Sequence, residues 1–334
     1  SLVDDVVATP DAYGFTYSTF PALVNPGFGS EPGADGTLWG NADDFVFWDL
    51  VHPTAKAHQI IGAQAADAVF AELDVDLLLV DDAADVVENN DGLTTLREAI
   101  ELANRLPGLQ EIGFGDIGSQ IDLTHGQLTI ADDAHLQGPG AENLTISGGG
   151  HDRVFYVAPD VDARISRLTI ADGVAGQGGG IYNDGSLTLW KTSLVNNTAQ
   201  GENASGGAVF NAGRLNVFFS HLFGNQALGD ELGAGGAIAS IGEESEALLV
   251  GSTVIGNQAT GGDEGLGGGI YVGDGASLTA RFNVIIGNQA IGTDGGDGIG
   301  GGIFVDADSA ARLRHNLIFA NFANTSDNNV AWWG

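Results

Sequence analysis

The sequence predicts a right-handed parallel β-helix over residues 113–334, an all-β solenoid, preceded by a small α-containing segment at residues 1–75. A glycine-rich motif ending in an aliphatic residue recurs five times, an asparagine recurs in step with it, and short alternating apolar runs lie between them. The motif occurs at residues 178–181, 206–209, 235–238, 267–270 and 300–303. Its aliphatic residues are 28, 29, 32 and 33 positions apart, a spacing that suits one solenoid coil.

The recurring asparagine anchors the second half of each repeat. It occupies Asn197, Asn225, Asn257, Asn288 and Asn321, and a leucine, valine or isoleucine lies three residues before each. A repeat of this length holds about three short strands and three corners. It is too short for a propeller blade and lacks the helical pattern of a leucine-rich horseshoe. The spacing varies after the asparagine, so we expect insertions at that corner.

Composition and charge exclude several classes of function. Forty-four acidic residues face eleven basic ones, and the net charge of −33 repels nucleic acids and anionic membranes. No apolar run of about 18 residues could span a bilayer. The chain contains no cysteine, which excludes disulfides and thiolate metal sites. Such an acidic chain suits a protein that lives in salt or binds cations.

Residues 76–112 are predicted to form a linker and a capping helix. Thr95 and Glu98 have the spacing of a capping box, and Leu96 and Ile100 fall on one helical face. The open end of a solenoid needs protection from pairing with another chain. We therefore expect this helix to lie over the first coil.

The capping segment and the repeats carry a family resemblance. The stretch DGLTTLREAIELAN, residues 91–104, resembles the N-terminal cap of CSLREA-type β-helix proteins, and the GG-[AG]-[IV] and GNQA repeats are similar to polymorphic outer-membrane repeats. The resemblance covers about residues 77–334. It implies a secreted or cell-surface protein with a structural, adhesive or assembly role.

Residues 1–75 resemble the C-terminal segment of GDSL (SGNH) esterases and lipases. The blocks ATPDAYGFTYSTFPAL and FVFWDLVHPTAKAHQIIG carry the likeness, and Asp49 and His52 match the family's D-x-x-H. The resemblance implies that His52 is the general base and that Asp49 orients it. The family's nucleophilic serine and oxyanion donors precede this block, and this sequence has no such residues before it. We therefore expect no catalysis from the chain as it stands; the alternative is the C-terminal part of a secreted esterase or lipase.

Carboxylates gather at the variable corner after the asparagine. They are Asp230, Glu231, Asp263, Glu264, Asp294 and Asp297. Stacked coils would bring these like charges together, and hard oxygen ligands among glycine-rich turns suit Ca²⁺. Solvated acidic loops and a calcium site are both open interpretations, since no strict calcium-repeat spacing occurs.

Aromatic residues follow most of the repeated aliphatic positions. The residues at these positions are Tyr182, Phe210, Ala239, Tyr271 and Phe304. An inward Ile181 would turn them outward, where a surface glycan or another partner could dock, whereas the opposite alternation would place them in the core. A polysaccharide lyase or hydrolase is a further alternative, but no arginine of the later coils pairs with a recurrent acid at a fixed offset.

The last residues predict self-association. Trp332 and Trp333 are adjacent, and two tryptophans are costly to leave in water. We expect them to pack on the last coil, on a following domain or on another copy. A head-to-tail contact between copies would propagate into filaments.

Overall fold

Four parallel sheets wind around one core and form a β-helix. The protein is described by a computed structural model for residues 77–87, 92–106 and 108–332. We name the sheets I to IV in the order in which a complete coil reaches them. The prediction of a parallel β-helix is confirmed, but each complete coil contributes to four sheets rather than three, because the segment after each asparagine also pairs between coils.

Every sheet runs along the solenoid. Sheet I comprises Leu128–Ile130, Phe155–Val157, Ile181–Asn183, Val209–Asn211, Ile238–Ile241, Ile270–Gly273, Ile303–Val305 and Val330–Trp332. Sheet II comprises Leu77–Val80, Gln110–Phe114, Ala134–Gln137, Asp162–Ser166, Ser186–Trp190, Arg214–Phe218, Glu246–Val250, Ser277–Arg281 and Ala310–Arg314. Sheet III comprises Gln120–Asp122, Thr145–Ser147, Thr169–Ala171, Ser193–Val195, His221–Phe223, Thr253–Ile255, Val284–Ile286 and Leu317–Phe319. Sheet IV comprises Val174–Ala175, Thr198–Ser205, Gln226–Ala234, Gln258–Gly261, Glu264–Leu266, Gln289–Gly292, Asp297–Ile299 and Phe322–Ala323.

The core is a column of aliphatic side chains stacked in register. Leu187 lies opposite Leu215, and Leu194 lies opposite Leu222, so equivalent positions of successive coils meet inside the solenoid. These side chains are fully buried. Each such burial stabilises the fold by about 1.5–3 kcal/mol. The alternation that produces the column points every second residue of sheets I, II and III away from this core.

The glycine motif makes the turn between sheets IV and I. Gly206 adopts φ +67°, a left-handed conformation that favours glycine. A side chain on the next glycine, Gly207, would meet the carbonyl oxygen of Gly236 at 2.2 Å. The coils therefore approach too closely at this turn for any larger residue, which explains why the motif recurs.

The predicted capping helix covers the start of the solenoid. It spans Leu96–Ala103, and its capping box is confirmed, with the Thr95 side chain accepting from the Glu98 backbone N–H and Glu98 accepting from the Thr95 backbone. Leu96 and Ile100 are buried against the solenoid core. The predicted linker also contributes two strands to sheet II, Leu77–Val80 and Gln110–Phe114, on either side of this helix.

Sheet IV extends from the solenoid as a series of lobes. We call residues 198–205, 226–234, 258–266 and 289–299 the sheet IV lobes, because each chain segment runs outward and returns within sheet IV. Ala199 and Ala204 pack together inside the first lobe. The lobes are narrow, which favours alanine and glycine. The insertions expected after each asparagine are these lobes.

Candidate functional site

The predicted catalytic pair falls in the N-terminal segment. Asp49 and His52 lie outside the described residues, and their assignment stays a prediction. Within the described part, an open groove of about 390 Å³ lies on the outer surface of sheet II near its first strands. Leu77, Phe114 and Arg167 are among the residues that line it, and its lining contains no serine, threonine or histidine. The groove therefore lacks the serine and histidine that a GDSL-type hydrolase uses.

The predicted acidic corner exists and lies at the tips of the sheet IV lobes. We call it the acidic ridge; it consists of Asp230, Glu231, Asp263, Glu264, Asp294 and Asp297. Glu264 lies opposite Asp297 in register, and the backbone N–H of Asp263 donates to the carbonyl of Glu231 at 2.9 Å. The coils therefore stack the carboxylate-bearing segments directly, and the ridge is largely exposed.

The ridge does not converge on one point. Across residues 77–87, 92–106 and 108–332, no group of three or more acidic or histidine side chains is placed to hold a metal ion. Neighbouring carboxylates at strand spacing repel one another, and the repulsion is weakened by screening ions. Calcium binding at the ridge stays a prediction.

The aromatic stripe points outward from sheet I, as an inward Ile181 requires. Ile181 is fully buried, and Tyr182 lies in register with Phe210. Their ring centroids are 4.8 Å apart. Farther along the sheet, the rings of Tyr271 and Phe304 stack with centroids 5.6 Å apart. The rings therefore form a ladder along sheet I that is interrupted at Ala239.

Most of this stripe is nevertheless covered. The return strands of the lobes place Leu266 and Ile299 against Tyr271 and Phe304, forming a second apolar cluster outside the main core. Burial raises the pKa of the Tyr271 hydroxyl far above its usual value. These rings therefore offer no surface to a glycan. The sequence left the outward and inward directions of these rings open, and it gave no sign of the lobes that cover them.

Only the start of the stripe keeps accessible edges. Tyr156 and Tyr182 are half-buried, because the sheet IV strand that lies between them in the sequence, Val174–Ala175, is too short to cover them. The Tyr156 hydroxyl donates to Asp184 at 2.8 Å, a hydrogen bond that raises the pKa of this tyrosine. The Arg153 guanidinium lies over the Tyr182 ring, 5.1 Å from its centroid. This arrangement presents a hydroxyl, a carboxylate, a guanidinium and aromatic edges, which can bind polar or ring-shaped groups.

The outer surface of sheet II collects basic and aromatic side chains. Arg164 lies over the Trp190 ring at 5.8 Å, and Trp190 contacts Phe219 edge-on. In the last two strands of the sheet, Arg281 lies opposite Arg314. The sequence shows these arginines, but their gathering on one surface follows from the coil register.

Buried polar ladders hold the coils in step. The five recurrent asparagines form one ladder at the corner between sheets III and IV; for example, the backbone N–H of Asn225 donates to the side-chain oxygen of Asn257 at 2.9 Å. The Asn257 amide nitrogen donates to the backbone carbonyl of Leu222 at 3.0 Å. The recurrent asparagines are therefore structural, not ligands or catalytic groups.

Among the comparisons with known proteins, a family profile agrees with the architecture. A family profile described as "right handed beta helix region" matches residues 133–318, more than half of the chain. A curated relative, a GDSL esterase/lipase of Arabidopsis thaliana, is 36% identical over 64 residues, which cover 18% of this chain and 17% of that protein. Among solved structures, ORF18 of Geobacillus virus E2 is similar with a TM-score of 0.31 and 12% identity, covering 81% of this chain and 64% of that chain. The chain thus spans less than two thirds of either protein. No helix in the described part of the chain is long and apolar enough to cross a bilayer.

Proposed function

The chain belongs to the right-handed β-helix family, and on this premise we propose that it is an extracellular or cell-surface structural module that assembles through its ends. The supporting observation is the last coil. Leu313 and Ile318 continue the core column but are only half-buried, whereas Ile285, one coil earlier, is fully buried. Among the described residues, the strand Ala310–Arg314 pairs on one side only.

A coil whose strand pairs on one side only is a template for a further β-rich surface. Its backbone N–H and C=O groups and its apolar interior gain partners when a second β-rich surface docks on them. Trp332, which is 53% exposed, lies next to this coil in sheet I and would lose water-exposed surface in the same contact. Such a contact joins different surfaces of two copies and therefore propagates.

Electron microscopy and light scattering of the purified chain test this proposal. We expect concentration-dependent linear oligomers, and we expect Trp332→Ala to weaken them. The matched control is Phe223→Ala, since Phe223 is also 53% exposed but lies on the side of the solenoid in sheet III. A chain that stays monomeric at high concentration, or equal effects of the two substitutions, would contradict assembly through the ends.

Ester hydrolysis is the second candidate function, and the 64-residue similarity to a plant GDSL esterase/lipase favours it. Asp49 and His52 would supply the base and its orienting carboxylate, but the sequence has no matching serine block before them. Assays of p-nitrophenyl ester hydrolysis by the purified chain test this candidate: turnover above background supports it, and background rates contradict it for this chain. Turnover that is lost in His52→Ala and kept in a control variant of the next histidine along the chain, His58→Ala, would establish the esterase.

A further inference from the structure

Basic residues are concentrated on one surface of this acidic protein. Sheet II and the corner that follows it contain seven of the eleven lysine and arginine residues of the chain. The strands carry five and the corner carries two: Arg164, Arg214, Arg281, Arg312 and Arg314, then Arg167 and Lys191. The chain as a whole has four acidic residues for each basic one, so this distribution is opposite to the average composition.

The concentration is greatest in the last two strands of sheet II. We call Arg281, Arg312 and Arg314 the arginine patch. All three are exposed, and they point outward because Ala280 and Leu313, which alternate with them, face the core. The two strands, SLTAR and AARLR, contain no acidic residue.

No described residue forms a salt bridge with the patch. Arg281 lies opposite Arg314, and like charges directly opposite on neighbouring strands destabilise a sheet. The described residues form salt bridges at Arg97, His125, His135 and Arg214, and at no member of the patch. The patch therefore gains free energy from an anionic partner.

An exposed aromatic pair borders the patch. Phe282 follows Arg281 and is 62% exposed, and its ring stacks on His315 with centroids 5.0 Å apart and planes 6° from parallel. Arginine and aromatic side chains are enriched in protein interfaces. The combination indicates a binding surface rather than a solvated charged face.

We propose that the arginine patch binds the acidic ridge of a second copy of this chain. Both surfaces lie on parallel coils, so guanidinium and carboxylate groups repeat along the axis at the same strand spacing of about 4.8 Å. On the ridge Glu264 lies opposite Asp297, and on the patch Arg281 lies opposite Arg314. Two neighbouring carboxylates can therefore face two neighbouring guanidinium groups. Arginine and carboxylate pair in a bidentate geometry, which gives such a contact a defined register.

The net charge does not prevent this contact at physiological salt. The Debye length is about 8 Å at 0.15 M, so carboxylates farther away are largely screened while groups in direct contact still attract. An anionic polysaccharide would also suit arginine; the ridge is favoured because its carboxylates repeat with the strand spacing of the patch. The contact is lateral; it rests on the proposed assembly role but uses the sides of the solenoid rather than its end.

Charge exchange between the two surfaces tests the proposal. The patch variant is Arg281→Glu, which lies one strand away from the terminal strand Ala310–Arg314, and the ridge variant is Asp263→Arg/Asp297→Arg. Each should weaken lateral self-association at least tenfold in sedimentation velocity at 0.15 M NaCl with chelator, which removes bridging calcium. An equimolar mixture of the two variants should regain association, because the exchanged charges are again complementary.

Control variants and binding to a polyanion distinguish specific pairing of the two surfaces from general effects of charge or folding. Lys191→Glu and Asp308→Arg change charge on exposed or half-buried residues outside the two surfaces and should leave association within twofold of the original chain. Unchanged melting temperatures establish that the variants fold. An equimolar mixture of the patch and ridge variants that does not associate would overturn the proposal. A patch variant that no longer binds the polyanion dextran sulfate but self-associates as before would also overturn it.

The lateral contact and the end contact can be tested separately. Trp332→Ala should shorten linear oligomers without dissociating side-by-side pairs. The patch variant should dissociate side-by-side pairs without shortening linear oligomers. Lateral pairs without filaments would contradict only the end contact, whereas single filaments that never bundle would contradict only the patch proposal.

Discussion

At the residue scale, amide side chains join each coil to the next. In the asparagine ladder each side-chain oxygen accepts a backbone N–H from the preceding coil, and each amide nitrogen donates to a carbonyl there. A second ladder at the corner between sheets II and III has the same geometry but mixed residue types: Thr192, Ser220, Ser252, Asn283 and Asn316. Burying polar groups is tolerated because nearly all of them are paired.

Asn257→Ala should destabilise the solenoid by about 3 kcal/mol. It orphans the buried backbone N–H of Asn225 and the carbonyl of Leu222, and each unsatisfied buried group costs about 1–3 kcal/mol. The melting temperature and the denaturant midpoint measure the effect. Asn216→Ala is the matched control, since Asn216 is half-buried on the outer surface of sheet II and should change stability little. Equal losses in the two variants would contradict the role of the ladder.

At the element scale, one buried carboxylate fastens the capping helix to the first coil. Asp85 accepts from Arg97 Nε at 2.7 Å and from the backbone N–H groups of Thr124 and His125 at 2.6 and 2.8 Å. Burial alone would raise the pKa of Asp85, but the hydrogen bonds from Arg97 and the two backbone groups outweigh it and hold this pKa below its usual value. The anionic form is therefore part of the folded cap.

Asp85→Asn should destabilise the cap by about 3 kcal/mol at neutral pH, because Arg97 loses a buried partner. A lowered pKa contributes stability above the unfolded carboxyl pKa of about 3.9, and that stability is lost as the pH falls through the lower folded value. The difference between the original chain and the variant should thus be constant near pH 7 and close only below about pH 4. Hydrogen exchange of helix amides measures it, with the exposed Glu142→Gln as control. A difference that closes near pH 6 would indicate another group.

At the scale of the whole molecule, charge is segregated rather than evenly spread. The acidic ridge runs along the lobes of sheet IV, while sheet II and the corner that follows it carry seven of the eleven basic residues. Because each coil repeats its predecessor, one charged residue in the repeat becomes a line of charge along the axis. Such lines respond to salt more strongly than isolated surface charges.

Calcium should raise the melting temperature more than sodium at equal ionic strength, since paired ridge carboxylates offer a divalent ion hard oxygen ligands. Asp263→Asn/Asp297→Asn should remove the excess effect, and Asp116→Asn/Asp308→Asn, two exposed acids away from the ridge, should keep it. Thermal melts in calcium, sodium and chelator measure the difference. Identical shifts with the two cations would leave general screening as the whole effect.

The sequence by itself determined the β-helix, its capping helix and the positions of the coils. These features depend on local patterns: alternation sets which residues face inward, glycine marks turns that need a left-handed backbone, and Thr95 and Glu98 form their box within one helical turn. The acidic corner was also predictable, because insertions concentrated its residues at one point in every repeat.

Tertiary structure decided what these elements bury and what they expose. Whether Phe304 would be a docking surface or part of a packed cluster depended on the lobe residue Ile299 returning across sheet I, and no local pattern encodes that return. Likewise, Arg281 and Arg314 are 33 positions apart and become neighbours only through the register of adjacent coils. Burial and charge contact are set by distances between coils, and the varying lobe lengths make those distances a property of the assembled solenoid.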